Sequence, residues 1–253
     1  MTAEKTYKRL TGAHIKWMAI VLMLVDHIGA VILEPLAINL MQSGSLQLYA
    51  RGQQIMQFDM VLRALGRFSF PAFCFLLVEG FVHTHSRARY LRNLLVFAVI
   101  SEIPFNLAIG GAIWAPGYQN VFFTLALGFA SVWTAEYLQL RALQDGRKGS
   151  VNRVLAVMAI VVLAIAAEAL RSDYGAMGVC VIVVFYTFYR KPVTAAVLAW
   201  ALLSLNSWLE VFCFPMIPAV MCYNGSRGRQ AKYFFYIFYP AHLLILVAIR
   251  ALL

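Results

Sequence analysis

Two histidines lie inside apolar stretches of this sequence, where few ionisable side chains are found. His27 lies in the apolar run from Ile15 to Leu33, and His242 lies in the last apolar run of the chain. A neutral imidazole can take up a proton near pH 7, which makes it a natural general base. We therefore take His27 as the candidate base and His242 as a second buried imidazole. Tyr239 lies three residues before His242 and can hydrogen-bond in the same cavity.

Lys16 and His27 are spaced for one face of one helix. Eleven steps of a helix bring the two side chains within about 20° of a common stripe, with a rise of about 16 Å between them. A cation at the mouth and an imidazole deeper on the same face suit a donor with a phosphate-bearing head and a reactive end. The alternative is that Lys16 anchors the helix end and His27 bonds to a neighbouring helix.

The apolar stretches hold more ionisable groups than a structural bundle needs. Each one costs about 2.5–3.5 kcal/mol to place in a bilayer, so such groups usually face a protein interior or a wet cavity. The full set is Asp26, His27, Arg63, Arg67, Glu79, Glu102, Glu136, Glu168 and His242. The sequence therefore favours a functional polar cavity.

Asp26 and the two arginines are expected to meet across helices. Asp26 lies about 100° round the helix from His27, and adjacent residues do not face each other. It is therefore expected to pair with an arginine on another helix rather than to orient His27. Arg63 and Arg67 share a face and need an anion, which Asp26, Glu102 or a substrate phosphate or carboxylate could supply. An internal ion-pair network is the alternative.

Other polar groups fall at defined depths along the predicted spans. Glu102, Asn120 and Asp173 are expected in the outer half, near the two arginines, although Asp173 could also be a plain helix N-cap. Glu79 lies near the predicted cytoplasmic end, where it could simply reach towards water. Tyr236 shares one face of the last span with Tyr239. No metal site is expected, because His83 and His85 have no carboxylate or cysteine cluster beside them and no cysteine pair is spaced for zinc.

The composition places these groups in a membrane. Hydrophobic residues make up 62% of the 253 residues and charged residues 13%, whereas soluble domains carry about 25% charged residues. We predict an all-α polytopic transmembrane helical bundle of about nine helices, in one domain spanning residues 1–253. The predicted spans are 14–34, 59–83, 88–109, 119–140, 152–171, 174–190, 192–207, 209–223 and 232–252. The segment Pro35–Phe58 is predicted to be the longest loop, on the outer side, with Leu36–Met41 on the membrane surface.

The distribution of basic residues predicts the orientation. With the N-terminus in the cytoplasm, 16 of the 21 Lys and Arg residues fall in cytoplasmic segments and three in outer ones, as the positive-inside rule requires. The net charge of +10 therefore reflects topology, and no nucleic-acid partner is expected. The first apolar run is too long for a signal-peptide core and is interpreted as a retained helix.

Short motifs along most of the chain resemble the TraX family of membrane proteins, named for the acetylase of conjugative pilin. The motifs are Lys16-x10-His27 with Asp26 and Gly29, Gly66-Arg67-x-x-Phe70-Pro71, Asn120-Val-Phe-Phe, Asp173-Tyr174-Gly175-x-x-Gly178, and Phe235-Tyr236-x-x-Tyr239-Pro240-x-His242-Leu. The first motif is also similar to that of membrane acyltransferases that O-acetylate bacterial surface glycans.

The resemblance implies acetyl transfer from cytoplasmic acetyl-CoA to an acceptor in or across the membrane. The acceptor would be the N-terminal amine of a pilin or other peptide, or a glycan hydroxyl, and the location a bacterial inner membrane. As a hypothesis, His27, His242, Asp26 and Tyr239 form the catalytic set. Substrate contacts would come from Lys16, Arg63, Arg67, Glu79, Glu102, Asn120, Asp173, Tyr236 and Lys232. A transporter or flippase that uses the buried charges, or an assembly factor without chemistry, remains open.

Overall fold

The computed structural model describes residues 9–144, 149–229 and 232–253. These residues form helices and two isolated β-bridges. The elements in chain order are α1 Gly12–Ile28, a π turn Gly29–Leu33, α2 Glu34–Met41, α3 Leu46–Gly66, α4 Ser69–His83, α5 Arg87–Phe105, a π turn Asn106–Gly110, α6 Val121–Gln144, α7 Gly149–Ala169, α8 Gly175–Thr187, α9 Pro192–Asn206, a 3-10 turn Trp208–Cys213, α10 Met216–Met221 and α11 Lys232–Leu252.

The predicted fold class, an all-α bundle, is confirmed. Six helical stretches of the described chain are long and apolar enough to cross a membrane, and three shorter apolar helical segments accompany them. The long stretches are Gly12–Met41, Leu46–His83, Arg87–Gly110, Val121–Gln144, Gly149–Ala169 and Phe234–Leu252. Each of the nine predicted spans therefore corresponds to one helical stretch. Of the basic residues that fixed the predicted orientation, Lys5, Lys8, Arg147 and Lys148 lie outside the described residues.

The predicted outer loop over Pro35–Phe58 is wrong. The first helical stretch continues through its π turn to Met41, and α3 begins at Leu46, so only residues 42–45 connect the two. The side chain of Ser45 accepts a hydrogen bond from the Leu48 backbone N–H and begins α3. The segment is rich in glutamine, which is too polar for a bilayer but is a good helix former. The low hydropathy of this segment therefore predicts a loop where the structure has helices.

Two close approaches hold α1 against α3 at the level of the buried charges. A Cβ added at Gly29 would lie 2.3 Å from the Oδ1 of Asp59, and one added at Gly66 would lie 2.3 Å from the Cβ of Asp26. Each helix thus places an aspartate against a glycine of the other. Small residues allow such close packing of membrane helices, and here they bring Asp26 within reach of Arg63 on α3.

Most of the helix ends that carry basic residues lie at one end of the bundle, which we call the basic end. Its members are linked by contacts: the backbone N–H of Gly12 donates to the Ser226 carbonyl, and Tyr223 donates to Glu79 near the end of α4. Arg87 at the start of α5 pairs with Glu136 of α6. The positive-inside pattern predicts that this end is cytoplasmic.

The core of the bundle is aromatic and tightly packed. Phe81 of α4, Phe129 of α6 and Phe185 of α8 are fully buried. The ring of Phe81 meets the ring of Phe129 edge-on at 5.1 Å between centroids, an arrangement that aromatic pairs prefer. These contacts fix α4, α6 and α8 relative to one another, whereas α7 packs at the periphery and α11 closes the bundle against α1 and α5.

Candidate functional site

The two histidines of the sequence prediction meet in the structure. His27 of α1 and His242 of α11 lie 215 residues apart in the chain, and their Nδ1 and Nε2 atoms are 2.9 Å apart. His242 is 4% exposed. Its Nδ1 lies 2.8 Å from the backbone carbonyl oxygen of Phe238, one turn earlier on α11. Both nitrogens of His242 are therefore engaged within the protein.

These contacts determine which ring nitrogen of each neutral histidine carries the proton. A carbonyl oxygen can only accept, so Nδ1 of His242 carries the hydrogen and its Nε2 accepts from Nδ1–H of His27. His27 then keeps the lone pair on its own Nε2, which is the nitrogen that a general base or nucleophile uses. Both nitrogens of His242, a member of the predicted catalytic set, are thus engaged, so His242 has no hydrogen left to donate to a substrate oxygen. His242 instead orients His27.

Asp26 is held by both arginines of α3. Its Oδ2 accepts from Arg63 at 2.8 Å, and its Oδ1 accepts from Arg67 at 2.5 Å. The prediction that Asp26 pairs with an arginine on another helix is therefore confirmed. Because both oxygens of Asp26 accept hydrogen bonds from arginines, its carboxylate stabilises the arginine pair beside His27.

The charge network extends to two residues that the sequence analysis did not include in the site. Glu210, which is 3% exposed in the 3-10 turn Trp208–Cys213, accepts from Arg67 at 3.0 Å. The hydroxyl of Tyr174 donates to the same oxygen of Glu210 at 3.2 Å. Tyr174 has a φ of 64°, a conformation that costs energy for a residue with a side chain. Its ring stacks on Phe70 at 3.6 Å between centroids, so packing holds the strained residue in place.

Asp59 is a third buried carboxylate that the sequence analysis missed. It is 3% exposed, and its Oδ1, which contacts Gly29, has no hydrogen-bond partner in the structure. One oxygen of Glu210, Oε2, is likewise unpartnered. The site thus holds carboxylate oxygens with unused capacity to accept hydrogen bonds. A signal was present in the sequence, since Asp59, Arg63 and Arg67 are spaced four apart and share one helix face.

Lys16 lies on the same side of α1 as His27, as its spacing predicts. Its Nζ is 4.1 Å from the centre of the Phe235 ring on α11, a favourable contact between a cation and an aromatic face. Both Lys16 and His27 therefore face α11. Lys232 begins that helix, but its side chain lies outside the described residues.

Tyr236 and Tyr239 of α11, the two tyrosines of the predicted site, lie at different distances from the histidine pair. The Tyr239 ring is 6.1 Å from the His27 ring and 5.7 Å from the His242 ring, edge-on to both. Tyr236 lies one turn nearer the basic end and stacks on Phe97 at 4.7 Å. Tyr239 is thus the tyrosine beside the candidate base, and Tyr236 lies next to Phe235, nearer the basic end.

Asn120 and Glu102 are brought together but serve each other. The Asn120 side-chain amide donates to Glu102 Oε2 at 2.6 Å and to the Ala98 carbonyl at 2.8 Å. Its oxygen accepts from the Phe122 backbone N–H at 3.1 Å. The fully buried Asn120 therefore locks the start of α6 to α5, and its predicted role as a direct substrate contact is not supported by this geometry.

Asp173 forms a pair with Tyr118 at the end opposite the basic end. Both lie in loops outside the membrane-spanning helices, and the Tyr118 hydroxyl donates to Asp173 Oδ1 at 2.5 Å. Burial raises the pKa of the Asp173 carboxyl, which the Tyr118 hydrogen bond partly opposes. Burial and the neighbouring carboxylate raise the pKa of the Tyr118 hydroxyl. Asp173 does not act as the N-cap of α8, because Glu168 accepts from the Ala176 backbone N–H there.

Glu79 and Glu136 belong to the basic end and not to the histidine site. Glu79 accepts from the Tyr223 hydroxyl at 2.9 Å. Glu136 accepts from both terminal nitrogens of Arg87 and from Tyr186. The buried charges therefore form several separate groups rather than one polar cavity, and Glu79 does not join the substrate contacts proposed around His27.

Comparisons with known proteins agree with the family resemblance that the sequence motifs indicate. The model of the TraX protein family matches residues 11–250. A relative from Dichelobacter nodosus, "Probable fimbrial assembly protein FimC, serogroup H1", is 29% identical over 220 residues, which cover 76% of this chain and 84% of the relative. No solved structure matches the chain.

Proposed function

Because this chain belongs to the TraX family, we propose that it is a membrane-embedded acyltransferase that moves an acetyl group from acetyl-CoA to an acceptor. The observation that carries the proposal is the buried pair of histidines 2.9 Å apart, in which the hydrogen bonds of His242 leave the Nε2 of His27 as a base.

The proposed reaction begins with the proton of the acceptor. Nε2 of His27 takes that proton while the acceptor nitrogen or oxygen bonds to the thioester carbonyl carbon. The carbon–sulfur bond then breaks, and the departing CoA thiolate receives the proton from His27. In the variant of this scheme, Nε2 attacks the thioester carbonyl carbon, the carbon–sulfur bond breaks and CoA leaves as its thiolate. The acceptor then takes the acetyl group from Nε2, and its proton goes to the thiolate.

Charge that develops on the carbonyl oxygen needs a donor near His27. We assign that role to Tyr239, whose ring lies 6.1 Å from the His27 ring, because both nitrogens of His242 are engaged. Removing one such donor from an enzyme typically slows the reaction by about 10²–10³. Arg63, whose side chain is 26% exposed, is a cation that could also face the reacting groups.

The donor would enter from the basic end, which we propose is cytoplasmic in a bacterial inner membrane. Lys16 lies on that side of His27, on the face of α1 that is turned to α11. The distance along α1 is about 16 Å at the rise of an α-helix, so Lys16 could hold a phosphate while the thioester reaches the imidazole. Arg227, Arg229 and Lys232, which lie just before or at the start of α11, are further candidates for binding the phosphates.

The acceptor is proposed to be a polypeptide amine. The name of the Dichelobacter nodosus relative refers to fimbrial assembly, which supports a pilin-like acceptor over a glycan hydroxyl. Arg67 links Glu210 to Asp26 beside His27.

The test is acetyl-CoA binding and thiol release by purified protein in detergent. Wild type is expected to bind acetyl-CoA saturably and to release CoA slowly, whereas His27→Ala binds but releases none above background. His85→Ala is the matched control, because His85 is exposed at the basic end and its loss should change nothing. If wild type shows no saturable binding, the donor assignment fails and a transporter or flippase becomes the better explanation of the buried charges.

A further inference from the structure

A groove of about 440 Å³ opens at the basic end, and no step of the proposed reaction uses it. It lies between the ends of α4 and α8 and the bodies of α6 and α7. Its lining includes Val82, Val132, Glu136, Ile160, Tyr186 and Arg190. This volume is in the range of small-molecule sites, which is about 300–1,000 Å³.

The groove has one positive charge in excess. Glu136 is neutralised by Arg87, and Tyr186 donates to the same carboxylate at 3.1 Å. Arg190 is exposed at the mouth and forms no ion pair within the described part of the chain. Gln139 and Thr187 add an amide and a hydroxyl to the lining. An occupant with one negative charge and several hydroxyl groups would match these side chains.

The apolar part of the groove continues onto the outer surface of the bundle. Val132 and Ile160 line it, and the neighbouring residues of α7, Val157 and Val161, are 60% and 45% exposed. An exposed row of valines on a membrane-spanning helix faces acyl chains. A ligand in the groove can therefore have its polar part at Arg190 and its apolar part along α7.

We propose that this groove binds an anionic glycerophospholipid with a hydroxyl-bearing head group, of which phosphatidylglycerol is the simplest. The phosphate lies on Arg190, the head-group hydroxyls face Gln139 and Thr187, and one acyl chain follows Val132 and Ile160. The site is distinct from the histidine pair and does not depend on the proposed acetyl transfer.

A nucleotide donor fits the groove less well. Acetyl-CoA carries three phosphate groups, whereas Arg190 is the cation of the lining without a carboxylate partner among the described residues. The lipid is therefore the occupant that the charges and the apolar wall favour.

The test measures lipids retained by the purified protein. Protein reconstituted in phosphatidylcholine vesicles with equal minor fractions of phosphatidylglycerol and phosphatidylethanolamine is extracted, and its bound lipids are counted by native mass spectrometry. Wild type is expected to retain phosphatidylglycerol in preference to phosphatidylcholine and to phosphatidylethanolamine. Arg190→Gln is expected to lower this retention about fivefold, the usual effect of one basic residue at an anionic surface.

The matched control is Arg92→Gln, which removes an exposed arginine of α5 from the same end of the bundle but outside the groove. This variant should retain phosphatidylglycerol as wild type does. Equal losses in both variants would mean that the lipid binds only through general surface charge, and no loss in either would mean that Arg190 does not hold it. Displacement of the lipid by acetyl-CoA in the wild type would assign the groove to the donor and overturn the proposal.

Discussion

Replacing His242 tests whether one histidine acts through the other. His242→Ala removes the acceptor of the 2.9 Å hydrogen bond from His27 and leaves His27 free to rotate and change tautomer. The loss of a hydrogen bond to a buried group costs about 1–3 kcal/mol. Since each 1.4 kcal/mol is tenfold, the rate of CoA release should fall about 5- to 150-fold, mostly in kcat.

His242→Gln should recover part of the lost rate. The side-chain oxygen of glutamine can accept a hydrogen bond from roughly the position of Nε2, so it can hold His27 in the same tautomer. A purely structural role for His242 would not distinguish these two replacements when their unfolding temperatures are equal. The comparison therefore separates positioning of the base from general damage to α11.

The double variant supplies the refutation. His27→Ala should abolish release, and His27→Ala with His242→Ala should be no slower than His27→Ala alone, because residues that act as a unit are not additive. The assay is thiol release at saturating acetyl-CoA, with thermal unfolding of each variant as the control. Full activity in His242→Ala, or a residual rate of His27→Ala that falls further in the double variant, would refute the proposal that His242 acts through His27.

The remaining predictions concern the charge network and the helix crossing. Arg67→Ala leaves two buried carboxylates without their shared cation, so the free energy of unfolding in detergent should fall by about 3–5 kcal/mol. Arg67→Lys should lose less, and equal stability of wild type and both variants would contradict the network. Gly29→Ala places a Cβ 2.3 Å from a buried carboxyl oxygen and should lower the free energy of unfolding by about 1–3 kcal/mol. Gly117→Ala, with open space around the new Cβ, should not lower it, and equal effects of the two changes would contradict the close approach of Gly29 and Asp59. Tyr174→Phe removes one hydrogen bond from the network and should cost about 1 kcal/mol, measured by the same thermal unfolding; an unchanged midpoint would mean that the hydroxyl adds nothing.

The pairing of Asp26 with the arginines could be predicted because it follows from helix geometry alone. Adjacent residues of a helix point about 100° apart, so Asp26 could not serve His27 and had to pair across helices. The common direction of Lys16 and His27 follows from the same periodicity. Such predictions depend only on the spacing of residues within one helix.

The residues that the sequence did not reveal lie where hydropathy misleads. Asp59 was placed at the very start of a predicted span because the glutamine-rich residues before it resembled a loop, although they are helical. Glu210 lies in a short 3-10 turn that interrupts an apolar stretch, so its partner could not be derived from any helical period. Which helices meet depends on packing in three dimensions, and the meeting of His27 with His242 across 215 residues is of that kind.

The division of the buried charges into separate groups has the same origin. Hydropathy gives the depth of a residue along a span but not the neighbour that it faces. Glu79 and Glu136 were at recognisable depths, yet only the fold shows that Tyr223 and Arg87 are their partners. Depth alone therefore predicted a polar interior correctly, but not the number of sites within it.

The most direct test of the account follows an isotope-labelled acetyl group. Purified protein is mixed with labelled acetyl-CoA and a pilin-like peptide with a free N-terminal amine, and both chains are analysed by mass spectrometry. The account predicts label on the peptide amine with wild type and with His85→Ala, and none with His27→Ala. Equal labelling of the peptide by wild type and His27→Ala would contradict the assignment of His27 as the base or acyl carrier.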